Sequence, residues 1–457
     1  MTRGELSVPK PEPRPFHPAT AAFESGSDTP RAFLDRCLQA VGEFEPGVGA
    51  FVHMDVDAAI AAAERSTERW RSGKPLSRID GMPIGVKDII ETADMPTQMG
   101  SPLFADWRSG RDAASVAALR AAGAVILGKT VTTEFAATVP RGTRNPWDTR
   151  RTPGGSSSGS AAAVASGMVS AALGTQVIGS ILRPSSFCGC VGFKPSIGAI
   201  NRGGSHDGLS QSVHGPLAAC LEDAWIVARE IADRAGGDPG FAGLYGSADV
   251  PSARAPARLA LLETAGWTVA ESPAKAALEA AVARVEAAGV EVIGRAAHEG
   301  IAQLESSIAP AMQVSRRINA WETIWPLNTY RALNPDKLSA VMLERSAEGD
   351  AMSLDEYRGL LDQRERIRTG YAQLSAQFDA VLTLSAPGPA PMGLESTGNP
   401  VFNVPATLLG VPALSLPLLS VDALPLGLQV IGFRDADAAL FAVAKWLVEL
   451  LAEARTI

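Results

Sequence analysis

Apolar residues recur along this chain with two periods, and the places where one period gives way to the other outline its elements. Residues 31–44, following Thr29-Pro30, carry apolar side chains every three or four positions behind a first-turn proline, which predicts an amphipathic helix. Residues 58–70, alanine-rich and edged by charge, predict a second. Residues 81–90, GMPIGVKDII, predict a short buried strand bracketed by glycines, with Lys87 in its middle. Residues 114–135 read as helix, turn at Gly123, buried strand AVILG and loop, an alternation that points to an α/β fold. The alanine-rich residues 161–168 predict a helix packed closely on one side, and 169–173 form a short apolar run. Beyond residue 200 the pattern loosens. Residues 221–235 and 272–289 predict helices, the second bracketed by the strands LALLETAG and VEVIG. Residues 301–378 are mostly helical and carry Trp321, Trp325 and Tyr330. Residues 380–384, ALSLPLLS and LGLQVIGF return to strands before a last amphipathic helix over 437–454. Pro9, Pro11, Pro13, Pro15 and Pro18 predict an extended, poorly ordered arm over 1–18, with the folded domain running from 19 to 457.

Composition narrows the class. With 457 residues, 46 % hydrophobic and 20 % charged, the chain has ample material for a large core. A net charge of −8, a pI near 5.4 and the lack of a Lys/Arg stripe argue against a nucleic-acid partner. No apolar run approaches the roughly 18–20 residues of a membrane span, and the N-terminus lacks the apolar centre of a secretion signal, so a cytoplasmic protein without membrane attachment is expected. Cys37, Cys188, Cys190 and Cys220 are too few for a disulfide framework. Cys188-Gly189-Cys190 reads as buried packing, because no second Cys or His pair stands at zinc spacing, and no metal is expected.

Candidate chemistry concentrates in residues 153–196. Residues 154–160 hold three glycines and four serines, and residues 174–180 form a second turn that ends on Ser180 and enters Ile181-Leu182-Arg183-Pro184. Such turns present free N–H groups and small hydroxyls to developing negative charge, as a hydrolytic site requires. A flexible linker shares this composition, but would not be threaded through AAAVA, MVSAAL and VGF. Lys87 has two readings. It either reaches water from an edge position, or it is a desolvated amine with a lowered pKa, able to act as a base near neutral pH. Residues 155–159 also spell G-x-S-x-G around Ser157, with His206, His214 and His298 as triad partners; a loop of this composition meets that pattern by default, and no strong strand precedes it. Ser272 and Lys275 spell S-x-x-K on a surface-like helix without its companion motifs and are read as coincidence.

Taken together, GMPIGVKD, PGGSSSGS and GTQVIGSILRP resemble, in order and spacing, the amidase signature family of serine hydrolases. AGAVILGKT with the following EF, RNP, FCGCVGFKP and LPLGLQVIG extend the resemblance from about residue 30 to about residue 455. It implies a single large α/β domain, a mixed β-sheet core flanked by α-helices, with 301–378 on the substrate side. It places the catalytic lysine on Lys87, a bridging serine held by a cis peptide bond on Ser156, and the nucleophile on Ser180. The two serines stand 24 residues apart, the usual spacing. The oxyanion hole falls on the N–H groups of Val177, Ile178, Gly179 and Ser180. Neutral Lys87 would take a proton from Ser156, which relays it from Ser180 as that hydroxyl attacks the carbonyl.

The chain also departs from the family's frequent GTDTGGSIRxPA. Gln176 replaces the acid, Ile178 replaces the first of two glycines, and the arginine moves to Arg183. An arginine three residues after the nucleophile is similar to the malonamidase-type subgroup, where it can receive a substrate carboxylate; a structural arginine holding neighbouring loops is the alternative. Trp321 and Trp325 belong either to the core or to the mouth of the pocket. The resemblance implies a hydrolase of the C–N bond in an amide, carbamate, hydrazide or ureido compound, needing no cofactor or metal. Its partners would be a small-molecule amide-type substrate, water and, as is common in the family, a second copy in a homodimer. Two other readings stand beside it. An amidase subunit of a tRNA-dependent amidotransferase would need partner proteins, and Gln176 with the altered SIRxP segment counts against it. A non-catalytic amide-binding relative is opposed by the retained Lys87, Ser156 and Ser180.

Overall fold

The computed structural model describes residues 10–452. Its strands are β1 (Phe51–Met54), β2 (Pro83–Lys87), β3 (Val125–Thr130), β4 (Ala171–Gln176), β5 (Val191–Lys194), β6 (Val213–Ala218), β7 (Arg258–Leu261), β8 (Glu291–Ile293), β9 (Ala380–Leu384), β10 (Ala413–Val421) and β11 (Leu424–Ile431). They join in one eleven-stranded sheet, in the order β1-β3-β2-β4-β6-β5-β10-β11-β9-β7-β8. The triplets β3-β2-β4 and β9-β7-β8 are parallel, and the other neighbours are antiparallel. The sheet is therefore mixed. Every residue of β2, β3 and β4 is buried, as expected of parallel strands covered on both faces. The helix Ser158–Ala165 is buried all round, which explains its alanine-rich composition. A side-chain carbon on Gly159 would lie 2.1 Å from the Ala50 carbonyl, so only glycine permits this approach.

The expected helices form. Thr29 caps the helix Pro30–Val48 by accepting the Ala32 N–H, with proline at its start. The region 301–378 folds as five helices, Glu299–Ile308, Ala311–Glu322, Ile324–Leu333, Ala340–Asp350 and Leu354–Ala372, with short 3-10 turns. The proline-rich arm needs correction. Phe16 is fully buried, its ring 5.5 Å from that of Phe23 and 5.3 Å from that of Phe33. The N–H groups of Phe16 and His17 each donate to the Asp223 carboxylate at 2.8 Å. Residues 10–15 form neither helix nor strand, His17–Ala19 close a 3-10 turn that includes Pro18, and one aromatic anchor and one buried carboxylate fix the segment to the body before residue 19. Residues 1–9 of the expected arm and 453–454 of the last expected helix lie outside the described residues.

Candidate active site

β2 delivers Lys87 at its carboxyl end, beside the parallel strand β4, and the side chain is fully buried. Its Nζ donates to Ser156 Oγ at 2.8 Å and to Thr175 Oγ1 at 2.7 Å, and lies 3.4 Å from the Thr175 carbonyl. Burial pushes the Lys87 pKa from the ordinary 10.5 down to about 7, and the Asp207 carboxylate opposes that push. In the neutral amine, the same 2.8 Å contact can carry a proton from the serine hydroxyl to nitrogen.

Ser156 follows a cis peptide bond from Gly155. Next to it, Ser157 joins the two serine loops. Its N–H donates to the Ser180 carbonyl at 3.3 Å, and its hydroxyl lies 3.3 Å from both the N–H and the carbonyl of Thr175. Ser180 leaves the turn after β4 and lines a cavity of about 470 Å³ together with Val177, Ile178 and Gly179. The backbone N–H groups of Ile178, Gly179 and Ser180 donate to no backbone carbonyl among the described residues.

Gln176, where the family often has an acid, holds this turn. Its Oε1 accepts the N–H of Ile181 at 2.9 Å and of Leu182 at 3.0 Å, and its Nε2 donates to Thr407 Oγ1 at 3.0 Å. Thr407 in turn donates to the Ile178 carbonyl at 3.0 Å. Arg183 is buried and spans the two loops, donating from Nη2 to the Gly155 carbonyl at 2.7 Å and to Thr397 Oγ1 at 2.9 Å. Desolvation holds its pKa down to about 9, and no carboxylate lies within ion-pair distance among the described residues. Arg183 also borders the cavity.

The two tryptophans separate. Trp321 stacks on Tyr357, with ring centroids 5.3 Å apart, and packs on the core; it does not line the cavity. Trp325 lines its mouth and is 79 % exposed. Phe135 and Tyr330, stacked at 4.7 Å, stand on the same rim.

The rival constellations do not assemble. His206 faces Glu91 at 3.1 Å, His214 faces Ser115 at 3.3 Å, and His298 faces Gln377 at 3.0 Å, so none reaches the serines of the 154–160 loop. Lys275 lies over the Trp267 ring. Cys188 and Cys190 are buried free thiols whose pKa values are pushed up by burial. Among the described residues, no group of three or more His, Cys, Asp or Glu side chains is placed to hold a metal ion, and no helix is long and apolar enough to cross a membrane. Spacing does not single out Thr175 or Asp207. GTQVIGS displays Thr175 but says nothing of its Lys87 contact, and Asp207 arrives from a loop with no motif of its own.

Known proteins share this fold. The family model for Amidase matches residues 32–441. A glutamyl-tRNA(Gln) amidotransferase subunit of Chloroflexus aggregans is 33 % identical, over 93 % of this chain and 94 % of its own length. Among solved structures, a crystal structure of an amidase superposes with a TM-score of 0.82 at 28 % identity, over 96 % of this chain and 100 % of its own. The corresponding glutamyl-tRNA(Gln) amidotransferase subunit of Thermotoga maritima gives 0.72 at 26 % identity, over 92 % and 91 %.

Proposed function

Because the chain belongs to the Amidase family, we propose that it hydrolyses a C–N bond other than a peptide bond in a small amide, carbamate, hydrazide or ureido compound, through an acyl-enzyme on Ser180. The observation that carries this reading is the buried Lys87 amine, 2.8 Å from Ser156 Oγ and brought to a pKa of about 7. Neutral Lys87 takes the Ser156 proton while Ser156 takes that of Ser180. The freed Ser180 oxygen bonds to the carbonyl carbon, and the oxyanion rests on N–H groups from Val177, Ile178, Gly179 and Ser180, each donor worth about 3 kcal/mol at the transition state. The proton returns through Ser156 to the leaving nitrogen as the C–N bond breaks. Water then repeats the transfer, releasing the acid and restoring Ser180. Arg183 serves first as a positioning residue, because its bonds to Gly155 and Thr397 hold the loop that carries Ser156. Trp325 bounds the entrance.

The relatives named as amidotransferase subunits favour a second reading, in which this chain supplies the amidase activity of a larger assembly. A panel of primary amides, anilides, carbamates and hydrazides, offered to the purified chain, separates the two. The hydrolase reading expects amine or ammonia release by the chain alone, lost in Ser180→Ala. No release by the chain alone, with partner subunits on co-purification, favours the amidotransferase.

A further inference from the structure

Loop residues 204–209 and the last turns of the helix Ala311–Glu322 both line the Ser180 cavity, and hydrogen bonds join them into one corner. The Ser210 N–H donates to the Glu322 carboxylate at 2.7 Å, and Gln211 Nε2 donates to Asn319 Oδ1 at 3.1 Å. Among the described residues, three side chains that line the cavity keep a buried polar atom without a hydrogen-bond partner: Arg183 Nε, Asp207 Oδ2 and Asn319 Nδ2. Arg183 is already fixed by the bonds of its Nη2 to Gly155 and Thr397. The other two belong to the corner, where Asp207 is 5 % exposed and Asn319 1 %.

Their unused atoms have opposite characters. The Ser315 hydroxyl donates to Gln211 Oε1 at 3.4 Å, which turns Gln211 Nε2 toward Asn319 and makes Asn319 Oδ1 the acceptor. Asn319 Nδ2 is left as a free donor. Asp207 Oδ1 accepts from the Ser205 hydroxyl at 2.7 Å, and Oδ2 is left as a free acceptor. Burial raises the Asp207 pKa, but the fields of Lys87 and His214 and the Ser205 hydroxyl hold it below the ordinary carboxylate value, so this acceptor is charged. A buried donor and a buried acceptor that lack partners lose hydration which the protein does not return. One ligand group that accepts from the first and donates to the second returns both.

We propose that this corner receives a second, uncharged amide group of the substrate, its C=O accepting from Asn319 Nδ2 and its N–H donating to Asp207 Oδ2, so that the preferred substrates are diamides. This rests on the reading of Ser180 as nucleophile. A carboxamide carries C=O and N–H on one planar edge, and its N–H makes a charge-assisted bond to the Asp207 carboxylate. An ammonium group offers nothing to Asn319, and a carboxylate offers no proton to Asp207 and meets its charge. The corner therefore selects by hydrogen-bond pattern, because the wrong group leaves a buried atom unpaired. Asp207 and Asn319 are thereby specificity-determining residues outside the proton relay.

The test uses the full chain and matched substrates. One arm compares acyl p-nitroanilides whose acyl chain ends in carboxamide, N,N-dimethylcarboxamide, isopropyl or ammonium, over a short series of spacer lengths. The other places the group on the amine side, comparing acylated para-aminobenzamide with acylated para-isopropylaniline. In one arm, wild type is expected to favour carboxamide over isopropyl by about tenfold or more in kcat/KM, the scale of a charge-assisted hydrogen bond. The dimethyl compound, which lacks the N–H, should lose most of that advantage. Asn319→Asp keeps the acceptor for Gln211 but removes the donor, and should bring the carboxamide-to-isopropyl ratio to one or below; Asn319→Ala, which adds no charge, should bring it close to one. Asp207→Asn should narrow the gap between carboxamide and dimethylcarboxamide. A wild-type ratio near one in both arms, a preference that survives both Asn319 variants, or a preference for ammonium over carboxamide overturns the proposal. Because the readout is a ratio within one protein, partial misfolding or a shifted Lys87 does not mimic it. If wild type turns over none of these compounds, fluorophosphonate labelling of Ser180 decides separately whether the hydrolase reading stands. Calorimetry with glutaramide then decides the corner alone, binding lost in Asn319→Asp supporting it, and equal binding or none overturning it.

Discussion

Acidification should silence this site by protonating one amine. A lysine with its ordinary pKa of 10.5 is neutral in roughly one molecule in three thousand at pH 7, whereas burial brings Lys87 to about 7, where half are neutral. If the neutral amine is the base, the rate of Ser180 acylation falls about tenfold per pH unit below the inflection near 7 and levels off above about pH 8. The sign for the neighbouring acid follows. The Asp207 carboxylate favours the charged amine, so Asp207→Asn should move the inflection to lower pH and raise the rate at pH 6 relative to the plateau. The assay is the second-order rate of fluorophosphonate labelling between pH 5 and 9, which needs no knowledge of the natural substrate. His214, pushed down to about 4 by burial, does not account for an inflection near 7. A rate flat from pH 5.5 to 8, or an inflection that Asp207→Asn leaves in place or moves upward, would refute the assignment of Lys87 as base.

Other consequences concern the frame around the site. Phe16→Ala empties a fully buried ring position between Phe23 and Phe33 and should cost about 3–5 kcal/mol in urea unfolding; a loss below about 1 kcal/mol would mean that the N-terminal segment is peripheral. Gln176→Ala leaves the N–H groups of Ile181 and Leu182 without their acceptor, costs about 1–3 kcal/mol, and should slow Ser180 labelling through the disturbed turn. Trp321→Ala should lower the melting temperature, whereas Trp325→Ala, at a position 79 % exposed, should change stability by no more than about 0.5 kcal/mol while raising KM.

What could be read from the sequence was whatever is encoded locally. The helix Leu221–Ala235 occupies the residues its periodicity marks, and the strand holding Lys87 follows from an apolar run between glycines. β1, β5 and β6 are harder to read, because they are short or interrupted by Gly and Pro and become strands only by pairing with neighbours far along the chain. The same distance hid the partners of the site. Spacing places Lys87 and the two serines, but the 2.7 Å bond to Thr175 and the field of Asp207 exist only once β4 and the 204–209 loop fold against β2. Trp321 stacks on Tyr357 whereas Trp325, four residues on, lines the cavity mouth, and the break at Thr323 puts them on different helices, which spacing alone does not reveal. The prolines of the first 18 residues likewise mask Phe16, whose ring is fully buried.

The most direct test of the central claim is the intact mass of the protein after exposure to a fluorophosphonate, for wild type, Ser180→Ala and Lys87→Ala. The account predicts a single adduct on wild type, none on Ser180→Ala, and sharply slower formation on Lys87→Ala. An adduct that persists in Ser180→Ala and maps to Ser157 would contradict it and return the chemistry to the glycine-serine loop.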